Sequence, residues 1–116
     1  MATTKSDWKI KPITNSADKI DLRLTFTNSD FEKIRQGFKP KDMDDRWFIY
    51  SEDLWVNFHR SWMGDCIFRV RFDKTADDTY TTVECWVERN EKIYGIKDDN
   101  ENRRIIEQII KDRLLN

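Results

Sequence analysis

Residues 42–72 read DMDDRWFIYSEDLWVNFHRSWMGDCIFRVRF, and this stretch decides the predicted fold. Its apolar residues fall into three short runs, each of which predicts a β-strand: Arg46–Tyr50, Leu54–Arg60 and Cys66–Phe72. The two connections, residues 51–53 and 61–65, are short and are polar or contain glycine, as β-hairpins require. The stretch therefore predicts three consecutive antiparallel strands.

Further strands are predicted on either side of this stretch. Tyr80–Glu88 continues the meander, and Ile20–Phe26 alternates apolar and polar residues as a strand with one buried face does. Trp8–Lys11 also alternates, but Pro12 limits it to a short edge strand. The sheet is therefore expected to contain five to six strands.

Two segments carry helix signals. Ser29 and Glu32 form a capping box, so one helix is predicted to begin there and to end at Gly37. It should bury Phe31, Ile34 and Phe38. A last helix is predicted from about Asn100 to Leu115, with one apolar stripe made of Ile105, Ile106, Ile109, Ile110 and Leu114.

The order of these elements predicts a single α+β domain over residues 1–116, with residues 1–7 as a flexible tail. In this fold an antiparallel β-sheet meander carries both helices on one face. Alternation along the strands predicts these residues on the helix-covered face: Leu54, Val56, Phe58, Cys66, Phe68, Val70, Phe72, Val83, Cys85 and Val87. The outer face is expected to be uncovered and to carry Trp55, Asn57, His59, Ile67, Arg69, Arg71, Thr82, Glu84, Trp86 and Glu88.

Composition narrows the classes of function. The chain has 21 basic and 22 acidic residues and a net charge of −1, so generic nucleic-acid binding is not expected. No apolar run suits a signal peptide or a membrane span, which predicts a cytoplasmic protein without membrane contact. Cys66 and Cys85 form neither a zinc pattern nor a disulfide framework, so free thiols are predicted. No metal or cofactor motif is complete, and no cofactor is predicted.

The turn that follows Arg60 is the candidate ligand-binding site. A guanidinium group binds phosphate oxygens in pairs, and the face of a Trp ring stacks on a base. The residues predicted to contact such a ligand are Arg46, Trp47, His59, Arg60, Ser61 and Trp62. A structural alternative is that Trp62 covers the end of the core, while Arg60 pairs with Glu52 or Asp53.

Three further groups of residues are candidates for catalysis, metal binding or partner contact. His59 with Ser61 or Cys66 offers acid–base or nucleophilic catalysis, but no orienting acid or glycine-rich elbow accompanies them. Asp42, Asp44 and Asp45 lack the glycine and the closing glutamate of a calcium loop, which favours a solvated loop. The exposed strip predicted to face a protein partner comprises Trp55, Arg69, Arg71 and Trp86; the alternative is ordinary cross-strand pairing with Glu84 and Glu88.

The segment from Asp44 to Val70 resembles a family of small bacterial and phage proteins. The shared core is (D)RWF-x-Y, then L-x-F-HRSW-T-G-x-C-I-x-x-V, and it covers residues 42–72 of this chain. The resemblance extends weakly to the strand that ends at residues 87–90, to Tyr94 and to the terminal helix. Met63 stands here where the pattern has Thr, so a hydroxyl is missing.

Some members of that family occur beside or fused to ADP-ribose-binding macrodomains, and the family has no settled activity. The resemblance implies a site at the six residues predicted to contact a ligand, Arg46, Trp47, His59, Arg60, Ser61 and Trp62, and a ligand of the nucleotide type. The sequence therefore predicts a non-catalytic module that recognises a small phosphorylated ligand, nucleotide or ADP-ribose-like, or a protein partner. One alternative is a small nucleotide-processing enzyme with His59 as acid or base. Another is an inhibitor, encoded by a phage or mobile element, that acts by protein contact.

Overall fold

The computed structural model describes residues 3–42, 44–76 and 78–115. Within them a six-stranded antiparallel sheet carries two helices, which confirms the predicted α+β fold. The strands are β1 (Asp18–Ile20), β2 (Thr25–Thr27), β3 (Trp47–Glu52), β4 (Trp55–Arg60), β5 (Cys66–Ala76) and β6 (Thr79–Val87). The helices are α1 (Asn28–Gln36) and α2 (Asp99–Ile109), and α2 runs on into a π-helical turn, Ile110–Leu114.

The strand order is β1-β6-β5-β4-β3, so strands β3 to β6 form the predicted meander. The continuous strand predicted over Ile20–Phe26 is instead two short strands, which pair with different parts of β6. At the break, the Thr82 hydroxyl donates a hydrogen bond to the carbonyl oxygen of Leu22 and accepts one from the amide of Leu24. At the break the Thr82 side chain therefore adds two hydrogen bonds to the backbone bond that the Thr82 amide donates to the carbonyl oxygen of Leu24.

Both helices pack on one face of the sheet, as predicted. A single apolar cluster joins the helix residues Phe31, Ile34, Ile106, Ile109, Ile110 and Leu114 to the strand residues Ile49, Val56, Phe58, Phe68, Val70, Phe72, Cys85 and Val87. Burial of large apolar side chains is the dominant favourable term in folding. This cluster therefore accounts for most of the stabilisation of the fold.

A bulge between Phe58 and His59 changes the face assignments at the start of β5. Cys66 lies directly opposite His59, so it points to the outer face, and its predicted inward orientation is wrong. Ile67, which was predicted outward, is fully buried in the core cluster. The extra residue shifts the alternation by one position, which a period of two cannot anticipate.

A second bulge changes the face assignments on β6, because Arg71 and Phe72 of β5 pair with Glu84 and Thr82 and leave Val83 as the extra residue. Thr82 pairs with the inward Phe72 and is buried, whereas Val83 is 45% exposed. Both predicted orientations are therefore wrong. Leu54, also predicted inward, lies in the β3–β4 turn and is 37% exposed.

Helix α1 begins and ends close to the predicted residues. Thr27, rather than Ser29, is its N-cap and accepts a 3.1 Å hydrogen bond from the amide of Asp30. Gly37 ends the helix with a φ of +74°, a conformation that glycine adopts without strain. Phe38 lies beyond the helix and pairs with Ile49 of the edge strand β3.

The N-terminal segment covers one end of the outer face, so the prediction of an uncovered face is wrong there. Trp8 stacks on Phe48 with ring centroids 5.7 Å apart, and the amide of Lys11 donates a 2.9 Å hydrogen bond to Gly64. A single bridge of Lys11 to Asp65 replaces the predicted edge strand at Trp8–Lys11. Part of the predicted flexible tail forms a short 3₁₀ turn, Lys5–Asp7. Residues 1 and 2 lie outside the described residues, and the flexibility of the tail stays a prediction.

Candidate functional site

The six predicted site residues lie at one end of the sheet but are divided between its two faces. Trp47 and Arg60 are directly opposite each other and point to the helix-covered face. His59, one residue earlier, points to the outer face. Strand β4 ends at Arg60, so Ser61 and Trp62 belong to the turn rather than to the strand. The structure thus does not bring His59 together with Arg60.

Arg60 sits between two aromatic rings. Its guanidinium carbon lies 4.9 Å from the ring centroid of Trp47 and 5.7 Å from that of Tyr94. Trp47 in turn stacks on Phe68, with centroids 5.9 Å apart, so this wall of the site is continuous with the core. Both contacts have the geometry of favourable cation–π interactions, and they hold the Arg60 guanidinium at the rim of the core.

The Arg60 guanidinium is half-buried, and no counter-ion accompanies it within residues 3–42, 44–76 and 78–115. No carboxylate of the described residues lies within ion-pair distance of it, so the expected pairing with Glu52 or Asp53 is wrong. Burial lowers the pKa of Arg60; the charge of the ionised Tyr94 hydroxyl opposes this, and the charge of Arg46 adds to it. The partial burial of Arg60 without an ion-pair partner among the described residues therefore costs free energy of folding.

A cleft of about 490 Å³ opens beside this guanidinium. We call it the arginine cleft, and its lining residues are Arg46, Arg60, Trp62, Met63, Asp65, Lys92 and Ile93. Three of its side chains are cationic and one is acidic. Among the described residues, Arg46 and Lys92 also lack an ion-pair partner. The cleft is therefore locally basic in a chain whose net charge is −1.

The turn between β4 and β5 presents two large apolar side chains to solvent. Trp62 is 61% exposed and Met63 is 73% exposed, so Trp62 does not plug the end of the core. Met63 has a φ of +67°, which is strained for a residue with a long side chain. The Ser61 hydroxyl fixes the start of the turn by donating a 2.7 Å hydrogen bond to the carbonyl oxygen of Asp45.

A second cleft, of about 360 Å³, also has Trp62 among its lining residues. We call it the tryptophan cleft, and its lining residues are Trp8, Pro40, Lys41, Asp42, Ser61 and Trp62. The Trp8 ring is held in place because its Nε1 donates a 3.0 Å hydrogen bond to the carbonyl oxygen of Ser61. Trp62 thus contributes to the walls of both clefts.

His59 is a buried residue, only 2% exposed. Its Nδ1 is 2.9 Å from the carbonyl oxygen of Gly64, and its ring stacks against Tyr50 at a centroid distance of 5.6 Å. Its Nε2 has no hydrogen-bond partner among the described residues. Burial lowers the pKa of His59, which favours the neutral ring. A general acid or base needs access to a substrate, and this ring has none in the structure.

On the predicted partner face, the polar side chains already bond to one another. Arg69 lies 4.3 Å above the Trp55 ring and donates a 2.8 Å hydrogen bond to Asn57. Arg71 pairs with Glu84 at 3.2 Å, and Glu84 also accepts a hydrogen bond from Trp86 Nε1. Cross-strand pairing, the alternative to a partner face, is therefore confirmed for Arg71. Glu88 lies beyond the end of β6, and its carboxylate accepts hydrogen bonds from Thr14 and from the amides of Arg89 and Asn90.

Two remaining predictions concern metals and thiols. Across residues 3–42, 44–76 and 78–115, no cluster of His, Cys, Asp and Glu is arranged to hold a metal ion. Asp45, from the acidic loop, instead lies 3.7 Å from Arg113 and caps the amide of Lys41. Cys66 and Cys85 are both free and buried, and they lie on opposite faces of the sheet.

The sequence does not single out several residues in or beside the two clefts. Alternation predicts an edge strand for Trp8, Lys92 belongs to no motif, and Tyr94, which packs against Arg60, is indicated only by the family resemblance. Residues 88–98 cross the end of the sheet, where Tyr94 meets Phe68 at a centroid distance of 5.5 Å. Tyr94 is a single aromatic residue in an irregular segment, two positions after Lys92, and such a pattern is a weak signal in a sequence. Only the path of the whole chain brings these residues to the site.

Comparison of the chain with protein-family models, with curated proteins and with solved structures gives no match in any of the three. The family resemblance thus stays a prediction. Among the described residues, no helix has the length and apolar character needed to cross a membrane.

Proposed function

We propose that the protein binds a small phosphate-bearing ligand in the arginine cleft and does not transform it. The observation that carries this proposal is the half-buried guanidinium of Arg60, held by two rings and without a counter-ion among the described residues. A protein gains little stability from such a group, because desolvating an unpaired charge costs free energy. A bound anion would supply the missing partner.

The geometry of the cleft suits a phosphate more than a single carboxylate. Arg46, Arg60 and Lys92 come from three different segments and line one cavity. A guanidinium group binds two phosphate oxygens at once, and an ammonium group adds a point charge. Three cations match the charge of a phosphate or pyrophosphate group. Asp65 limits the affinity for anions and favours a ligand that also carries a hydrogen-bond donor.

The two other functions expected from the sequence have less support. An enzyme with His59 as acid or base needs that ring open to solvent, and it is buried on the far face. An inhibitor that docks through Trp55 and Trp86 needs free binding groups there, and their polar neighbours already bond to one another. Recognition of a ligand is therefore the function that the site supports best.

Titration with inorganic pyrophosphate at low ionic strength, followed by calorimetry, tests the proposal. Arg60→Met keeps an unbranched apolar chain against Trp47 but removes the charge, and Arg46→Gln removes an exposed charge that the fold does not need. Each should weaken binding by about 1.5–3 kcal/mol, the usual contribution of a hydrogen bond to a charged group. Arg35→Met, on an exposed position of α1 outside the cleft, is the matched control and should bind as the wild type does. Absence of pyrophosphate binding, or equal weakening by all three variants, contradicts the proposal.

A further inference from the structure

The two clefts beside Trp62 have different chemistry. The arginine cleft has three cationic side chains, whereas the tryptophan cleft has two indole rings and a proline, with Lys41 and Asp42 as its polar side chains apart from Ser61. A single exposed ring, Trp62, lines both clefts. A ligand that fills both clefts must therefore have an anionic part and a part that packs against aromatic rings.

The tryptophan cleft is preorganised on one side. Trp8 is stacked on Phe48 with an interplanar angle of 17°, and its indole nitrogen is bonded to Ser61. Ser61 is itself tied to the loop before β3, because its amide donates a 2.9 Å hydrogen bond to the carbonyl oxygen of Arg46. Binding against a wall that is already fixed costs little conformational entropy.

The other side is an exposed aromatic ring on a strained turn. Trp62 keeps 61% of its surface in water, although a residue of this size normally buries most of it. Met63, the next residue, adopts a left-handed conformation that glycine or asparagine would adopt at lower cost. Strain of this kind is found at sites that contact ligands.

Resting on the proposed function, we infer that the ligand is a nucleotide. Its phosphates occupy the arginine cleft, and its base enters the tryptophan cleft and stacks on Trp62. A base presents a flat ring for the indoles and polar edges for Lys41 and Asp42, and stacking on aromatic side chains accepts every base. The volume of about 360 Å³ lies within the range of small-ligand pockets.

The test compares inorganic pyrophosphate with ADP, GDP, CDP and UDP, measured by calorimetry on the wild type and on Trp62→Ala. Trp62 is exposed, so the variant should fold, and unchanged melting confirms this. Leu54→Ala is the matched control, since it removes an exposed apolar side chain from the turn at the opposite end of the sheet.

We expect at least one nucleoside diphosphate to bind roughly five- to 150-fold more tightly than pyrophosphate, the range that base stacking provides. Trp62→Ala should abolish this advantage, so that nucleoside diphosphates and pyrophosphate bind the variant with affinities within about two-fold of each other, because the base loses its stacking partner while the cations for phosphate remain. Leu54→Ala should change neither affinity.

The outcomes separate this inference from the proposed function. If pyrophosphate binds in an Arg60-dependent way but no nucleoside diphosphate binds more tightly, the nucleotide inference is overturned and anion recognition stands. If a nucleoside diphosphate binds equally well to Trp62→Ala, the inference is also overturned. If neither pyrophosphate nor any nucleoside diphosphate binds, both are wrong.

Discussion

The Nδ1 nitrogen of His59 donates a hydrogen bond of 2.9 Å to the carbonyl oxygen of Gly64. A carbonyl oxygen can only accept, so the ring proton lies on Nδ1 and Nε2 is a buried acceptor. The same oxygen also accepts a hydrogen bond from the amide of Lys11. One backbone group thus joins the outer face of β4, the Trp62 turn and the N-terminal segment.

The first prediction is that stability falls as the pH decreases below about 6.5, the unperturbed pKa of histidine. Burial lowers the pKa of His59 in the folded protein; the hydrogen bond to Gly64 opposes this, and the charge of Arg69 reinforces it. Between the lowered pKa and about 6.5 the unfolded chain binds a proton that the native protein does not, so unfolding becomes more favourable on acidification. The slope cannot exceed about 1.4 kcal/mol per pH unit for one proton.

Urea unfolding between about pH 7.5 and pH 5 measures this slope. The chain has a single histidine, and the glutamates with lowered pKa values, Glu84, Glu88 and Glu91, contribute only at the acidic end of this range, so the slope above about pH 6 reports His59. His59→Asn keeps an amide donor for Gly64 but does not titrate, and its stability should be nearly flat over that range. A flat profile for the wild type, or an equal slope in the variant, would show that another group is responsible.

Gly64→Ala should destabilise the protein strongly. Gly64 has a φ of +75°, and a Cβ there would lie 2.2 Å from the carbonyl oxygen of Lys9 and 2.9 Å from the Cα of Ile10. Left-handed strain alone costs about 1–3 kcal/mol, and the backbone overlap adds to it. Gly95→Ala is the control, because nothing lies within 4 Å of its added Cβ, and it should be neutral or stabilising by less than about 1 kcal/mol. Similar unfolding free energies for the two variants would argue against the N-terminal segment packing on this turn.

Thr82→Val should lower the free energy of unfolding by about 1–3 kcal/mol, although valine has nearly the same shape as threonine. The change leaves the carbonyl oxygen of Leu22 and the amide of Leu24 without the hydroxyl that bridges the break between β1 and β2. Thr25→Val, at an exposed position of the same region, should stay within about 0.5 kcal/mol of the wild type. Chemical denaturation of both variants makes the comparison, and equal effects would mean that the bridge contributes nothing.

Both thiols should be free and slow to react in the native protein. Burial raises the pKa of Cys66 and that of Cys85 to about 12 each, so little thiolate forms at neutral pH. Thiol counting without reductant should find two groups after denaturation and almost none accessible before it. A denatured sample with no free thiol would contradict the placement of the two residues on opposite faces.

The sequence by itself determined the class of fold and the end of the sheet that carries the candidate site. Periodic apolar runs, short polar connections and the capping and glycine signals around α1 are local, and local signals are readable in one chain. They placed β3 to β6, both helices and the turn from Ser61 to Gly64. They also selected Arg46, Arg60 and Trp62 as residues that lie together.

Tertiary structure decided the face assignments at the bulges and the contacts between distant segments, which local periodicity does not encode. The bulges beside His59 and Phe72 reversed the faces of Cys66, Ile67, Thr82 and Val83, because one extra residue shifts a two-residue period. The separation of His59 from Arg60 follows from the same alternation, which points neighbouring residues of β4 to opposite faces of the sheet. Trp8 and Tyr94 reached the site only because distant segments fold over the same end of the sheet, and such contacts depend on the path of the whole chain.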